Sequence, residues 1–175
     1  MVIQIVENNL RFSERDAPVL SSVADHLAMA ISRNATEKAL RESEKKHRSI
    51  FENATEGIFQ ISLDHDLLSA NPAMARIFGH DSVEGLMLLS EGFLRNTLNS
   101  SDRVQLLSLV LQQDTVQNFE AATERTDGSR IWISLNMRTV RRPDGSITHL
   151  EGSVHDITMR KEAERRLDIQ KSLFR

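Results

Sequence analysis

Hydrophobic positions change their spacing from segment to segment along this chain, and each spacing predicts an element. Leu20, Val23, Ala24, Leu27, Ala28 and Ile31 recur at intervals of three and four, the stripe of an amphipathic helix. Ser13 and Asp16 are its candidate N-caps, and Pro18, which fits a first turn and not an interior, favours the later start. From Ile31 to about Asn53 no Gly or Pro interrupts the helix. Residues 33–52 are densely charged, with Glu37/Arg41, Glu42/Lys46 and Glu44/Arg48 as Glu-first i,i+4 pairs. Apolar positions thin out after Ile31, resume at Leu40 and return at Ile50 and Phe51. So narrow a seam predicts pairing with a second copy as a parallel coiled coil, the alternative being a solvated linker helix held at its ends. Upstream, residues 1–12 (MVIQIVENNLRF) read as a strand without a neighbour.

Beyond Asn53 the spacing shifts towards two. Gly57 breaks the helix, and Phe59, Ile61 and Leu63 share one face of a first strand; residues 67–70 make a second. Asn71-Pro72 predicts a helix start, Met74, Ile77 and Phe78 follow at core spacing, and Gly79 ends the turn. Asp81-Ser82 opens a short segment, and residues 88–101 read as irregular. Ser100-Ser101-Asp102 then caps a helix with Val104, Leu107 and Leu111 on its core face, flanked by Leu106 and Val110. Residues 117–125 form a third strand. Ile131, Ile133, Leu135 and Met137 alternate with Trp132, Ser134, Asn136 and Arg138, so one face buries aliphatics. Parity places Trp132 on the other face, against the N-terminal helix or a partner subunit. Asp127-Gly128 predicts a two-residue type I′ hairpin turn and Pro143-Asp144-Gly145 a second reversal. The last strand ends at Asp156-Ile157-Thr158 and passes directly into a charged helical pattern.

Composition narrows the chemistry. The 175 residues allow one domain with appendages, or one and a half small domains. A formal charge of −3 gives no footprint for nucleic acid. The absence of cysteine excludes disulfides, thiolate metal sites and cysteine-linked chromophores, and accords with a cytoplasmic location. No apolar run approaches the roughly 20 residues of a membrane span, and VIQIV after Met1 is too short for a signal peptide. None of the 6 histidines stands at short ligand spacing. His149 and His155 share a strand face but lie about 20 Å apart at ~3.3 Å per residue, so no metal is expected and all six read as exposed. Phosphate loops, G-x-S-x-G elbows and nucleophile–base spacings are missing. No catalytic residue is assigned, which weighs against the rival reading as a small α+β enzyme.

The order of pieces in HRSIFENATEGIFQISLDHDLLSANPAMARIFG and ERTDGSRIWISLNMRTVRRPDGSITHLEGSVHDITMRK resembles a PAS domain, the bacterial sensory fold, over roughly residues 43–161. Val2 to Ala35, with VIQIVEN and FSERD, resembles the last strand and terminal helix of a GAF domain; the alternative is a leader helix of the PAS unit. The resemblances imply an α+β fold: a five-stranded antiparallel sheet in the order 2-1-5-4-3, helices on one face, preceded by a long helix. Domain boundaries follow as a GAF tail over 1–35, a signalling helix over 36–53, the PAS domain over 54–158 and an outgoing helix over 159–175. Lys171-Ser172-Leu173-Phe174 echoes Arg48-Ser49-Ile50-Phe51, the phrase that would open a second PAS domain.

Functionally, the resemblance implies a sensory module of a bacterial signal-transduction protein. It would sense a small ligand or partner, and its parent would be a histidine kinase, diguanylate cyclase or phosphodiesterase. A ligand-free dimerisation spacer is the alternative. Asp156, Ile157 and Thr158 match the family's D-I-T junction, which couples sheet to following helix. Thr158 would cap that helix through its hydroxyl, worth roughly 1 kcal/mol, with Asp156 adding charge near its positive end. Arg160 and Lys161 would pair with acids. A pocket would lie between sheet and helices, lined by Phe59, Ile61, Met74, Ile77, Leu107, Leu111, Ile133, Leu135, Leu150 and Val154. No cofactor is expected: residues 102–113 lack the family's haem histidine, cysteinyl flavin has no cysteine, and Trp132 alone offers a large aromatic for noncovalent flavin. The lining admits a small, largely apolar ligand. A homodimer through the N-terminal helix is the expected assembly, with the output domain in the same parent chain.

Overall fold

Residues 17–173 are described in a computed structural model, in which the chain divides into residues 1–48 and residues 49–175. The strand expected near Val2, the caps Ser13 and Asp16 and the part of the GAF resemblance that precedes Ala17 lie outside the described residues. In the first unit the described residues belong to helix α1, Ala17–Asn53, which runs 37 residues without a break into the start of the second. Leu27, Ile31 and Leu40 are exposed along it. The helix ends four residues before Gly57, so that glycine does not stop it. A Cβ at Gly57 would stand 2.6 Å from Val154 Cγ1 and 3.0 Å from the Met74 backbone, and close packing is the reason for glycine there.

The second unit is built on a five-stranded antiparallel sheet in the order β2-β1-β5-β4-β3. Its strands are β1 (Gly57–Ile61), β2 (Leu67–Ala70), β3 (Thr115–Glu124), β4 (Arg130–Arg141) and β5 (Ile147–Asp156). The alternation in β4 holds: Ile131, Ile133, Leu135 and Met137 are buried and Trp132 is 39% exposed. Leu63 does not join Phe59 and Ile61 inside. β1 ends at Ile61 after a register shift, the chain turns with Ser62 N–H donating to Asp66 O at 2.8 Å, and Leu63 is exposed. Both hairpins form, but with a longer connection than a two-residue turn. Gly128 N–H donates to Arg125 O and Gly145 N–H to Arg142 O, each at 2.9 Å. Only the glycine takes a positive φ in each, 80° and 85°, as in a type I turn closed by a left-handed residue.

Four helices cover the inner face: α2 (Pro72–Phe78), α3 (Val83–Met87), α4 (Phe93–Thr97) and α5 (Ser100–Gln113). Asn71 caps α2 by accepting from Met74 N–H, and Gly79 at φ 80° closes it. α4 lies in the stretch expected to be irregular and buries Phe93 and Leu94. Asn99, one position earlier than expected, caps α5 by accepting from Asp102 N–H. The face of α5 also differs from expectation. Leu106 and Val110 are fully buried, Leu107 is half-buried, and Val104 and Leu111 are exposed. Residues 106–111 are apolar at every position except Ser108, so periodicity alone leaves the phase open. α6 (Thr158–Leu173) leaves from β5 and engages the opposite, outer face of the sheet through Glu120 and Trp132.

Candidate functional site

One residue, Ile157, separates the end of β5 from the start of α6. The side chains around it tie strand, hairpin and helix together. Asp156 Oδ1 accepts from the Thr158 amide at 2.9 Å and from the Thr158 hydroxyl at 2.5 Å. The first amide of α6, which has no partner inside its own helix, is thereby satisfied by a carboxylate at the positive end of the helix dipole. The roles expected of the pair are therefore exchanged. Asp156 makes the cap, and Thr158 Oγ1 turns back to accept from the Trp132 amide at 3.0 Å. Ile157 N–H donates to Trp132 O at 2.8 Å, so both backbone groups of one β4 residue hold the junction.

Arg125 completes it. Its Nη2 donates to Asp156 Oδ2 at 2.6 Å and its Nε to Ile77 O at 3.0 Å, joining the junction to the C-terminal end of α2. The ion pair is partly shielded, the two side chains being 33% and 27% exposed. Beside it, Thr126 donates through its amide to Phe78 O and through its hydroxyl to Gly79 O, pinning the hairpin tip to the same helix end. No sequence pattern marks Arg125; its place just before the hairpin turn is the one hint that it sits level with the end of β5.

The first turn of α6 is also held by charge. Glu120 on β3 receives Arg160 at 2.5 Å and Lys161. The Arg160 guanidinium first, and the Lys161 ammonium second, keep the Glu120 carboxyl below its ordinary value. The same carboxylate raises both cations. Pairing of Arg160 and Lys161 with acids is thus as expected. Trp132 lies on the outer face, where Lys161 Nζ stands 5.5 Å from its ring centroid, a cation over the π face.

The residues expected to line a pocket are distributed unevenly. Phe59, Ile61, Met74, Ile133, Leu135, Leu150 and Val154 are at most 3% exposed and belong to one contiguous core. Ile77 and Leu107 pack against its edge, and Leu111 faces out at 48% exposure. Open concavities of about 750 and 650 Å³ lie on the outer face. Ile58, Gln60, Asn136 and Glu151 contribute to the first, and Arg130, Trp132, Lys161 and Arg165 to the second. Nothing in the alternation of the strands foretold them, because concavity depends on twist and on the bulge between Val116 and Phe119.

Among the described residues no three His, Asp or Glu side chains are placed to hold a metal ion. The histidines are not uniformly exposed. His26 and His47 are, whereas His65, His80, His149 and His155 are partly covered. His149 Nδ1 lies 2.9 Å from Thr148 Oγ1, and His155 Nε2 2.8 Å from Glu56. No described helix is long and apolar enough to cross a membrane.

Comparison with known proteins agrees with this architecture. The PAS fold matches residues 45–157. The sensor histidine kinase TmoS of Ectopseudomonas mendocina is 26% identical over 134 residues, which cover 74% of this chain and 13% of that protein. An RNA-binding light-oxygen-voltage receptor superposes with a TM-score of 0.61 at 24% identity, over 74% of this chain and 37% of the other. A sensory box histidine kinase/response regulator from Burkholderia thailandensis E264 gives 0.56 at 17% identity, over 74% of this chain and 97% of its own. A PAS domain from Colwellia psychrerythraea gives 0.57 at 17% identity, over 66% and 97%. These structural likenesses speak for the fold, and the sequence match over residues 45–157 speaks for descent. The chain belongs to the PAS family, the sensory and non-catalytic modules of signalling proteins, and is homologous to a sensor histidine kinase.

Proposed function

We propose that this module receives a signal through α1 or its own core and passes it through Asp156–Thr158 to α6, and so to an output domain of the parent protein. One observation carries the reading. The last strand, the neighbouring strand, the hairpin and the outgoing helix meet in a single hydrogen-bonded group: Asp156, Arg125, Thr158 and the Trp132 backbone. A shift of the sheet would have to rearrange that group before α6 could keep its cap. The homology to a sensor histidine kinase favours histidine autophosphorylation as the parent's output. Exposed apolar residues along α1, among them Leu27, Ile31 and Leu40, support a homodimer formed through that helix. The GAF-like sequence of residues 2–35 supports a parent in which a GAF domain precedes this module.

A second reading is favoured by the core. The seven innermost residues expected to line a pocket are packed into one cluster, which supports a module that transmits between helices without binding a ligand of its own. Native mass spectrometry of the purified protein separates the two, since a retained small molecule shows as added mass. The coupling itself is tested in the intact parent by Asp156→Ala. Signal-dependent output should be lost or locked while the protein stays folded; an unchanged response would refute the role of the junction.

A further inference from the structure

Asn71 is fully buried, and its side-chain amide uses every hydrogen-bonding group it has. Oδ1 accepts from Ile58 N–H at 2.9 Å and from Met74 N–H at 3.0 Å. Nδ2 donates to Phe51 O at 3.0 Å and to Glu56 O at 2.9 Å. Phe51 lies in the last turn of α1, so one side chain binds the end of the incoming helix, the start of β1 and the first turn of α2. At the other end of α2, Ile77 O receives Arg125, whose guanidinium also holds the carboxylate that caps α6. α2 is about 10 Å long at ~1.5 Å per residue. It is packed along its length: Ala73, Met74, Ala75 and Phe78 are buried, and a Cβ at Gly57 would stand only 3.0 Å from its Met74 Cα, a tight contact.

We propose that α2 is a rigid link between the incoming and outgoing helices, with Asn71 and Arg125 as the positioning residues at its two ends. A movement of the last turn of α1 pulls on Asn71, shifts α2 along its axis and reaches the α6 cap through Arg125. The path runs beside the sheet and requires no ligand in the core. The inference rests on the reading above, in which α1 and α6 carry the signal in and out.

Amide hydrogen exchange of the whole chain tests it. Arg125→Gln removes both guanidinium bonds at a partly exposed site. Exchange should quicken about fivefold, the order of one net hydrogen bond, at Thr158 and Lys161 and also at Phe51 and Asn53 in the last turn of α1. Thr158→Val cuts the tie to Trp132 but spares both couplings of α2, and should quicken the Trp132 amide, which loses its acceptor, and Lys161, with Phe51 and Asn53 at their wild-type rates. The reverse experiment, Asn71→Ser, should loosen α6 from the far end; if that variant does not fold, Arg125→Gln decides. Faster exchange at α6 with α1 at its wild-type rate would overturn the link and leave the junction standing. No change at α6 in either variant would overturn both. Equal acceleration at the β4 amides of Ile133 and Leu135 would also count against the link, because it would mark a global loss of stability.

Discussion

Glu120→Gln separates the charge that holds α6 to the sheet from the cap that starts it. The carboxylate is 30% exposed and receives two cations, Arg160 and Lys161. Both cations are open to solvent, which screens the pairs, so losing them should lower the docked population only a few-fold, on the order of what exposed pairs contribute. The assay is built into the chain. Trp132 is its sole tryptophan and lies beneath Lys161, so indole emission and acrylamide quenching report undocking of the first turn of α6. The pH dependence follows from the sign of the shift. Arg160 and then Lys161 hold the folded-state value of Glu120 below 4.5. The contribution is therefore complete above pH 4.5 and is lost as pH falls through the lowered value. Wild-type emission should hold steady from neutrality to that point and shift to the red below it. The variant should be more quenchable at neutral pH and lack that acid step. Identical quenching and identical acid profiles in the two proteins would mean that Glu120 does not hold α6 to the sheet.

Other outcomes follow from the packing. Gly152→Ala puts a Cβ 2.1 Å from Asn136 O in the middle of the sheet, and should cost about 3 kcal/mol, read as a lower urea midpoint. Leu106→Ala, at a fully buried position, should cost about 3 kcal/mol, whereas Leu111→Ala should cost under about 1 kcal/mol; equal losses in urea unfolding would mean that α5 faces as its sequence first implied. Light scattering should give a dimer mass for the full chain and a monomer for one starting at Ser43. A monomer in both cases would remove α1 as the association element.

The strands and the β3–β4–β5 meander were legible because a two-residue period and paired turn residues survive any context: the alternation of β4 and the two Asp-Gly corners placed the consecutive hairpins directly, whereas the full order 2-1-5-4-3 was implied only by the PAS resemblance. Polar caps carried similar weight at Asn71-Pro72. Facing was harder wherever apolar residues crowd together. Residues 106–111 offer several equivalent stripes, and only contact with α4 and the sheet selects Leu106 and Val110. Residues 88–101 hid α4 because a single turn held by Phe93 and Leu94 has too few positions to show a period. At the junction the sequence named Asp156 and Thr158 but not their division of labour, since that depends on Trp132 and Arg125, whose bonds to them span 26 and 31 positions in the chain. The fourfold use of Asn71 was invisible for the same reason: the N-cap is a local signal, the bonds to Phe51 and Glu56 are not.

The most direct measurement of the central claim compares Asp156→Ala and Asp156→Asn by amide exchange at Thr158 and Lys161, with the β4 amides of Ile133 and Leu135 as the internal reference. Alanine removes the cap and the ion pair to Arg125, together about 1–2 kcal/mol, so exchange at the first turn of α6 should quicken about 5- to 30-fold while β4 stays at its wild-type rate. Asparagine keeps an oxygen for the Thr158 amide and should fall between. If the alanine variant exchanges at the wild-type rate in the first turn of α6, the junction does not hold that helix, and transmission through Asp156–Thr158 is contradicted.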